Sequence, residues 1–567
     1  EPEGISSDIT RSEEPPTSQR TGARVETGAT SNAGILGNTE ARQPDDQPDR
    51  KMWSSDQQLI FSCVSIAVGL GNIWRFPKVL YENDGGSFLV AYSVMLVLVG
   101  YPLLYLELIL GQYTRLGPSG ITRCVPLAKG KTSVEISIAM VSLIIACYFQ
   151  VILAQSLLQF FLSFTDFNLA NIAGCYGFWE LKTETCFLPE KLVCGSEHAI
   201  YGGVALRSVQ SKSRNRSRSP THLKSYGIQD TTTGCVNITE TMNEHFFHLS
   251  IGLTHHQLGD MANFHPQLMI CLGLTWVLLF LCSTLGLKPT GKKSFLVGVL
   301  TLGLVIFLMV STVWQEGALY GFIYMLVPKW NSLLKITVWT RAVEQVFFTF
   351  GITSGPLLVY GSYNHFFANI HRAVLFVTML SLGASLMYAI IVFGSLGTMS
   401  WNMNIPVGDI VHGGHSVIFV AMNKYSIHWT FSTVFFLLVI VTGTNSQAGL
   451  YLLHLVDTQV VSFMLIYIAV FELLAVMWIY GLEHLKLDIM LMHGELSAVK
   501  LEVAWCIILP VILTATVMTN LLTGCSSLRL GPIEFPVYAC YIGWSLIMLG
   551  ALQVPLWAVV SALKNPS

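Results

Sequence analysis

Charge is scarce in this chain. Of its 567 residues only 12% are Asp, Glu, Lys or Arg, about half the ~25% of an ordinary soluble domain. The few charges nearly cancel, leaving a net −2 and no basic surface for a nucleic acid. Also missing are a P-loop, an HExxH pair and a Gly-x-Ser-x-Gly elbow. An enzyme is therefore not expected. No apolar h-region precedes the first hydrophobic segment, so no cleaved signal peptide is visible. What the chain has instead is apolar mass: 52% hydrophobic residues, with 31 Phe and 13 Trp.

Twelve cysteines are scattered along it. Most fall inside apolar runs and read as small buried hydrophobes. Four, Cys175, Cys186, Cys194 and Cys235, share a hydrophilic stretch with the sequons Asn215-Arg216-Ser217 and Asn237-Ile238-Thr239. Together they mark an oxidising, extracellular loop with glycosylation at Asn215 and Asn237.

Residues 1–49 are rich in Ser, Thr, Pro, Gly and charge, the composition of a disordered tail. From about Leu59 on come apolar runs near the ~20 residues that a bilayer crossing needs. They lie near 58–80, 87–113, 134–164, 266–286, 294–316, 340–363, 370–397, 427–447, 459–481, 501–523 and 535–561. The reading is an all-α polytopic membrane protein of eleven spans, with a transporter domain over 50–562 and a short tail, 563–567. Basic residues in short loops set its orientation. Arg50-Lys51, then Arg115, Arg123, Lys129 and Lys131, then Lys288, Lys292 and Lys293 belong on the cytoplasmic side. The long 165–265 segment then falls outside, where its sequons require it.

The first span carries Gly69, Gly71, Asn72 and Pro77, poor helix material at mid-membrane depth. Broken backbone there is tolerated where it lines a cavity, and its freed carbonyls can hold a cation. A lone Gly-x-Gly would read as a kink for packing. Arg75 shifts the balance, because a guanidinium in an apolar span marks a pathway or a pair.

The segment Gly69-Leu-Gly-Asn-Ile-Trp-Arg-Phe-Pro77 resembles the neurotransmitter:sodium symporters, solute carrier family 6. So do Glu82-Asn-Asp-Gly-Gly-Ser-Phe88, Glu107 with Gly111-Gln112, Lys288-Pro-Thr-Gly-Lys292, Gln345-Val-Phe-Phe-Thr-Phe-Gly351 and Ile542-Gly-Trp544. The resemblance covers most of 50–562 and implies a leucine-transporter-like fold of two inverted five-helix repeats plus two helices, with substrate and ions at the midplane.

Carried over motif by motif, it implies a first sodium site of the Ala67 carbonyl, Asn72, Thr349 and Ser381. A second would use the Ser65 and Val68 carbonyls with Thr442, Asn445 and Ser446. Oxygen ligands of this kind suit a hard cation. Chloride would be held by Tyr92, Gln345, Thr349 and Ser385. Substrate would meet Gly69, Leu70, Gly71, Phe149, Phe348, Gly351 and Ser354. Gly69 stands where the family's monoamine carriers have Asp, which points to a small neutral amino acid instead. Phe149 replaces the Tyr whose hydroxyl binds the substrate carboxylate, and Ser354 replaces a Phe. The outer gate would be Arg75 with Asp457; the inner one would involve Arg50, Trp53 and Tyr363, its Asp having no counterpart. Paired loop cysteines in the family imply a Cys175–Cys186 disulfide. The implied whole is a sodium- and chloride-dependent symporter in the plasma membrane, with the lipid bilayer and an amino-acid-like substrate as partners. Neither the resemblance nor the composition specifies an oligomeric state. His245, His248, His255 and His256 lack zinc-ligand spacing, and Glu344 and Glu472 read as structural carboxylates.

One departure is large. Asn445-Ser446-Gln447 resembles the middle of span eight, whereas Ala448-Gly449-Leu450-Tyr451 resembles the end of span nine. Nearly all of span nine is missing. With helix continuing through the join, Asp457 falls at the cytoplasmic end of its span, far from Arg75, and the carboxyl terminus falls outside the cell. Such a chain would not complete the family's alternating-access cycle, and the alternative reading is a transport-inactive binding or regulatory protein, or an exon-skipped product.

Overall fold

The structure, a computed structural model, describes residues 52–53, 56–120, 133–164, 198–201, 204–207, 247, 266–284, 291–411, 416–422, 429–443, 456–494, 499–524, 529–530, 533–534 and 537–556. The tail 1–49, the Cys175–Cys186 pair, both sequons, the four loop histidines, Arg50, Asn445 and Ser446 lie outside these residues.

In hydrocarbon each backbone N–H and C=O must be paired within the chain, and a helix does this locally. Every apolar run accordingly meets a helix. The first is α1 (Asp56–Ala67), a π-helical turn Gly71–Arg75 and α2 (Phe76–Glu82). There follow α3 (Gly86–Met95), α4 (Tyr101–Thr114), α5 (Ser133–Phe164), α6 (Pro266–Thr284) and α7 (Gly291–Val313). The chain continues through α8 (Ala318–Leu326), α9 (Ile336–Phe350), α10 (Pro356–Ser362), α11 (His371–Met403) and α12 (Trp429–Gly443). After a π-helical turn Val456–Val461 come α13 (Ser462–Leu473), α14 (Leu482–His493), α15 (Leu509–Thr523) and α16 (Val537–Ala551). Two short antiparallel hairpins, His198–Tyr201 with Val204–Arg207 and Arg529–Leu530 with Ile533–Glu534, decorate the loops. Among the described residues five helices could each cross a membrane alone by length and apolarity, or six if the bent pair Leu300–Val313 and Ala318–Leu326 is one span. The first and sixth runs are absent from that set because both are broken, and the fourth, eighth and eleventh because their described apolar helices, Pro266–Leu281, Thr430–Val441 and Cys540–Leu556, are shorter. Phe280, Phe307, Val511 and Leu522 stand exposed on the outer helices, an apolar surface suited to lipid and not to water.

The two breaks position everything else, and they face each other. A Cβ at Gly71 would lie 2.7 Å from the Phe348 carbonyl oxygen, so only glycine allows this approach. In the sixth run Gly351, Thr353 and Gly355 take φ of 62°, 58° and 95°. For a β-branched Thr that conformation is strained. It is held by the Thr353 N–H donating to Glu107 Oε1 at 2.6 Å and by the Thr353 hydroxyl donating to the Leu465 carbonyl at 2.9 Å. The inner half, α10, is locked onto α4: a Cβ at Gly361 would come 2.3 Å from the Leu108 oxygen, and one at Gly111 2.3 Å from the Leu358 oxygen.

One expectation fails here. Arg75 and Asp457 are not at opposite ends of the membrane: Arg75 Nε donates to Asp457 Oδ1 at 2.8 Å. The separation assumed a helix running on through the join. Residues 444–455, which contain the join, lie outside the described residues. The end of the chain moves with Asp457. Gln459 contacts Cys540 at 3.8 Å, the Phe463 and Trp544 ring centroids are 5.8 Å apart, and the Tyr467 hydroxyl donates to the Ala551 carbonyl at 3.1 Å. These contacts ascend together, so α13 and α16 run parallel. Ser137, near the start of α5, donates to the Gly550 carbonyl at 3.0 Å. The far end of α16 is therefore on the face of the basic 115–131 loop, not on the opposite one. Cys540, expected as a small buried hydrophobe, is disulfide-bonded; Cys63 and Cys271 are buried and free, as expected.

Candidate functional site

The residues expected for the first sodium site converge. The Thr349 hydroxyl donates to Asn72 Oδ1 at 2.8 Å, and Asn72 Nδ2 donates to Ser381 Oγ at 3.4 Å. All three are buried, and Ala67 ends α1 close by in sequence. This is a compact cluster of neutral oxygens, a donor set for a hard cation. For the second site less is on view. The Val68 carbonyl accepts from the Tyr388 hydroxyl at 3.2 Å. Thr442 sits in the last turn of α12, while Asn445 and Ser446 lie outside the described residues, as do the side chains of Ser65 and Ala67.

The four residues expected around chloride also meet. Tyr92 Oη lies 3.1 Å from Thr349 Oγ1 and 3.3 Å from Ser385 Oγ. Gln345 Nε2 donates to the Gly71 carbonyl at 2.9 Å and lies 3.4 Å from Thr349 Oγ1. Ser385 donates to the Ser381 carbonyl at 2.9 Å. Thr349 thus belongs to both clusters. Its lone pairs and its single hydrogen could serve a cation on one side and an anion on the other.

Above these lies a buried ionic ladder. Besides Asp457, Arg75 donates from Nη1 to Gln345 Oε1 at 2.9 Å and from Nη2 to Ser462 Oγ at 3.3 Å. Its Nη2 also lies 3.8 Å from Glu344 Oε2, and its guanidinium sits 3.9 Å from the Phe348 ring centroid. Lys78 Nζ takes the other Asp457 oxygen at 2.9 Å, and Arg341 pairs with Glu344 Oε2 at 2.8 Å. Asn520 donates to Glu344 Oε1 at 3.2 Å. Glu344, read from the sequence as a structural carboxylate, is thus ion-paired. Lys78 and Arg341 were missed. Lys78 follows Arg75 by three residues in an apolar helix, a spacing that puts both on one face, and that signal was available.

The inner face is closed by Trp53. Its N–H donates to the Tyr363 carbonyl at 2.9 Å and its indole N–H to the Tyr360 carbonyl at 3.1 Å; His365 Nε2 approaches the Trp53 carbonyl at 2.9 Å. Gln112 Nε2 is surrounded by the His365, Phe366 and Ala368 carbonyls at 2.7–2.9 Å.

Of the expected substrate residues, Leu70, Gly71, Phe149 and Phe348 are buried, the last three-quarters of a helical turn from the break at Gly351. Gly69 opens the first break, and its carbonyl accepts from the Asn72 and Ile73 N–H groups at 3.0 and 3.2 Å. The Ser354 hydroxyl is turned back onto the Gly351 carbonyl at 2.5 Å, and the Ser354 carbonyl accepts from Ser142 of α5 at 2.6 Å. Among the described residues no cluster of His, Cys, Asp and Glu has the makings of a metal site of that kind.

The sodium:neurotransmitter symporter family model matches residues 50–449 and 444–565, two stretches that meet just beyond Gly443. The chain belongs to this family. Similar proteins include sodium-dependent nutrient amino acid transporter 1 of Drosophila simulans, 29% identical over an alignment of 587 positions that covers 95% of this chain and 87% of the relative. Its counterparts in Drosophila erecta and Drosophila melanogaster are each 28% identical, covering 95% and 93% of this chain and 87% and 86% of theirs. As a member of a sodium-coupled transporter family, the chain is a multi-pass membrane protein for an amino-acid or neurotransmitter substrate and not an enzyme.

Proposed function

We propose that the chain is a sodium- and chloride-coupled symporter of a small neutral amino acid at the plasma membrane. The observation that carries this is the Thr349 hydroxyl, shared between Asn72 and Ser381 on one side and Tyr92, Gln345 and Ser385 on the other. Sodium would take the Asn72, Thr349 and Ser381 oxygens. Chloride would draw the hydrogens of Tyr92, Gln345, Thr349 and Ser385. Substrate would sit at the two facing breaks, its carboxylate toward the amides of Leu70 and Gly71. Gly69 supplies no anion for an amine, and the names of the insect relatives agree with an amino acid. Arg75–Asp457 and the Trp53 latch would be the outer and inner closures. The parallel run of α13 and α16 supports a carboxyl terminus on the cytoplasmic face.

A second reading has its own support. The family match divides at 444–449, which fits the loss of a span and a protein that binds ions without moving substrate. Reconstitution into vesicles separates the two. Neutral amino-acid uptake that requires an inward sodium gradient and external chloride supports the symporter. Sodium binding without uptake supports the inactive relative, and neither would refute both.

A further inference from the structure

We propose that Lys78 is a second cation of the outer gate, a positioning residue that holds Asp457 closed alongside Arg75. The proposal rests on the symporter reading for its functional meaning, but its geometry stands apart from it. The Asp457 carboxylate is divided: Oδ1 accepts from Arg75 Nε at 2.8 Å and Oδ2 from Lys78 Nζ at 2.9 Å. All three side chains are about 1% exposed. Lys78 is one helical turn beyond Arg75 and its ammonium lies 5.1 Å from the Trp74 ring centroid, so the aromatic face adds a second contact to it.

Two cations on separate oxygens make a different gate from one. A carboxylate held by a single guanidinium can pivot about that contact and admit water at its free oxygen. Here both oxygens are occupied, so Asp457 cannot turn without losing one buried, charge-assisted bond. Moving the Val456–Val461 segment away from α2 requires both to break, and it leaves two cations and a carboxylate that need hydration at once. Opening is therefore coupled to flooding of the ladder. Lys78 also fixes what Arg75 does with its remaining donors. With Asp457 pinned, Arg75 Nη1 stays on Gln345 Oε1, and Gln345 Nε2 stays on the Gly71 carbonyl. The gate is thereby tied to the first break and to the Thr349 cluster.

The test is amide hydrogen exchange on the full chain in lipid nanodiscs, read by mass spectrometry. Exchange of a protected amide tracks the population of the open form. Lys78→Met keeps the stem and removes the charge. It is expected to speed exchange in Val456–Val461 about tenfold while leaving Tyr101–Thr114 unchanged. Lys78→Arg should restore slow exchange. Lys78→Gln, which keeps a donor for Asp457, should fall between. In uptake, easier outward opening should lower KM several-fold, because apparent affinity rises with the binding-competent fraction. Unaltered exchange at 456–461 overturns the proposal whatever uptake does. So does acceleration spread equally over Tyr101–Thr114, since Lys78 would then only hold the fold together. Absence of uptake in the unmutated chain, with the local exchange effect present, refutes the transport reading and leaves this one standing.

Discussion

Thr349→Val is the substitution that probes the candidate site most directly. Valine matches threonine in shape and removes one hydroxyl, which donates to Asn72 Oδ1 at 2.8 Å and lies 3.1 Å from Tyr92 Oη and 3.4 Å from Gln345 Nε2. If that oxygen is a ligand of sodium and its hydrogen a donor to chloride, each ion loses one contact. A hydrogen bond to a charged group contributes ~1.5–3 kcal/mol. At ~1.4 kcal/mol per decade, the half-saturating concentration of each ion should rise roughly 10- to 100-fold. Sodium is titrated at saturating chloride and chloride at saturating sodium, with uptake or thermal stabilisation in vesicles as the readout. Two controls separate the halves. Ser381→Ala should weaken sodium alone and Ser385→Ala chloride alone. A Thr349→Val protein in which one ion's titration moves and the other's does not would refute the shared hydroxyl, and one in which neither moves would refute the site.

Gly361→Ala should unfold the protein or cost several kcal/mol, because the new Cβ would stand 2.3 Å from the backbone oxygen of Leu108 and overpacking against rigid backbone costs ~1–3 kcal/mol or more; a melting temperature within a degree of the parent would contradict that packing. Phe149→Tyr should strengthen amino-acid binding about tenfold by adding one donor for the carboxylate, and an unchanged Kd would mean the carboxylate is held elsewhere. An epitope tag after Ser567 should be reachable by antibody only after the cells are permeabilised, since α16 ends beside Ser137; labelling of intact cells would restore the outside terminus. At the loop before α3, the Lys329 ammonium bonded to Asp84 holds that carboxyl below the ordinary carboxylate range. The stability it supplies is present above the unfolded value of ~3.9 and is lost as pH falls through the lower folded value. Asp84 and Lys329 are partly exposed, so Asp84→Asn should cost no more than ~1 kcal/mol at neutral pH and less in acid, and a difference that grows on acidification would have the wrong sign.

Much of this was legible from residues alone. Eleven apolar runs marked helices because hydrocarbon length and backbone satisfaction leave little else for such segments to do. Gly69, Gly71 and Asn72 marked the first break, and the motif around Gln345 marked its partner. The course of the chain at the join, Gln447-Ala448, was not legible from residue types alone. Treating the join as continuous helix then carried Asp457 to the wrong face and the carboxyl terminus with it. Lys78 signals itself in the sequence only by its three-residue spacing from Arg75 in an apolar helix.

The two halves of the sixth run differ in how they are fastened, and this has a mechanical consequence. α10 meets α4 backbone against backbone, at Gly361 and Gly111, where nothing can slide without collision. α9 meets the turn before α4 through the Val346 and Phe350 side chains at Gly100, and side chains can change rotamer. The strained stretch Gly351–Gly355 lies between them like a fulcrum. With α10 clamped, α9 is a lever of 15 residues, ~22 Å long at ~1.5 Å per residue. A swing of ~15°, ordinary for packed elements, would carry its far end ~6 Å. Arg341 rides on the outer part of that arm and Glu344 near its middle, whereas Thr349 sits near the pivot and would hardly move. A small rotation could thus dismantle the ladder at the mouth while the oxygens around Thr349 keep their spacing.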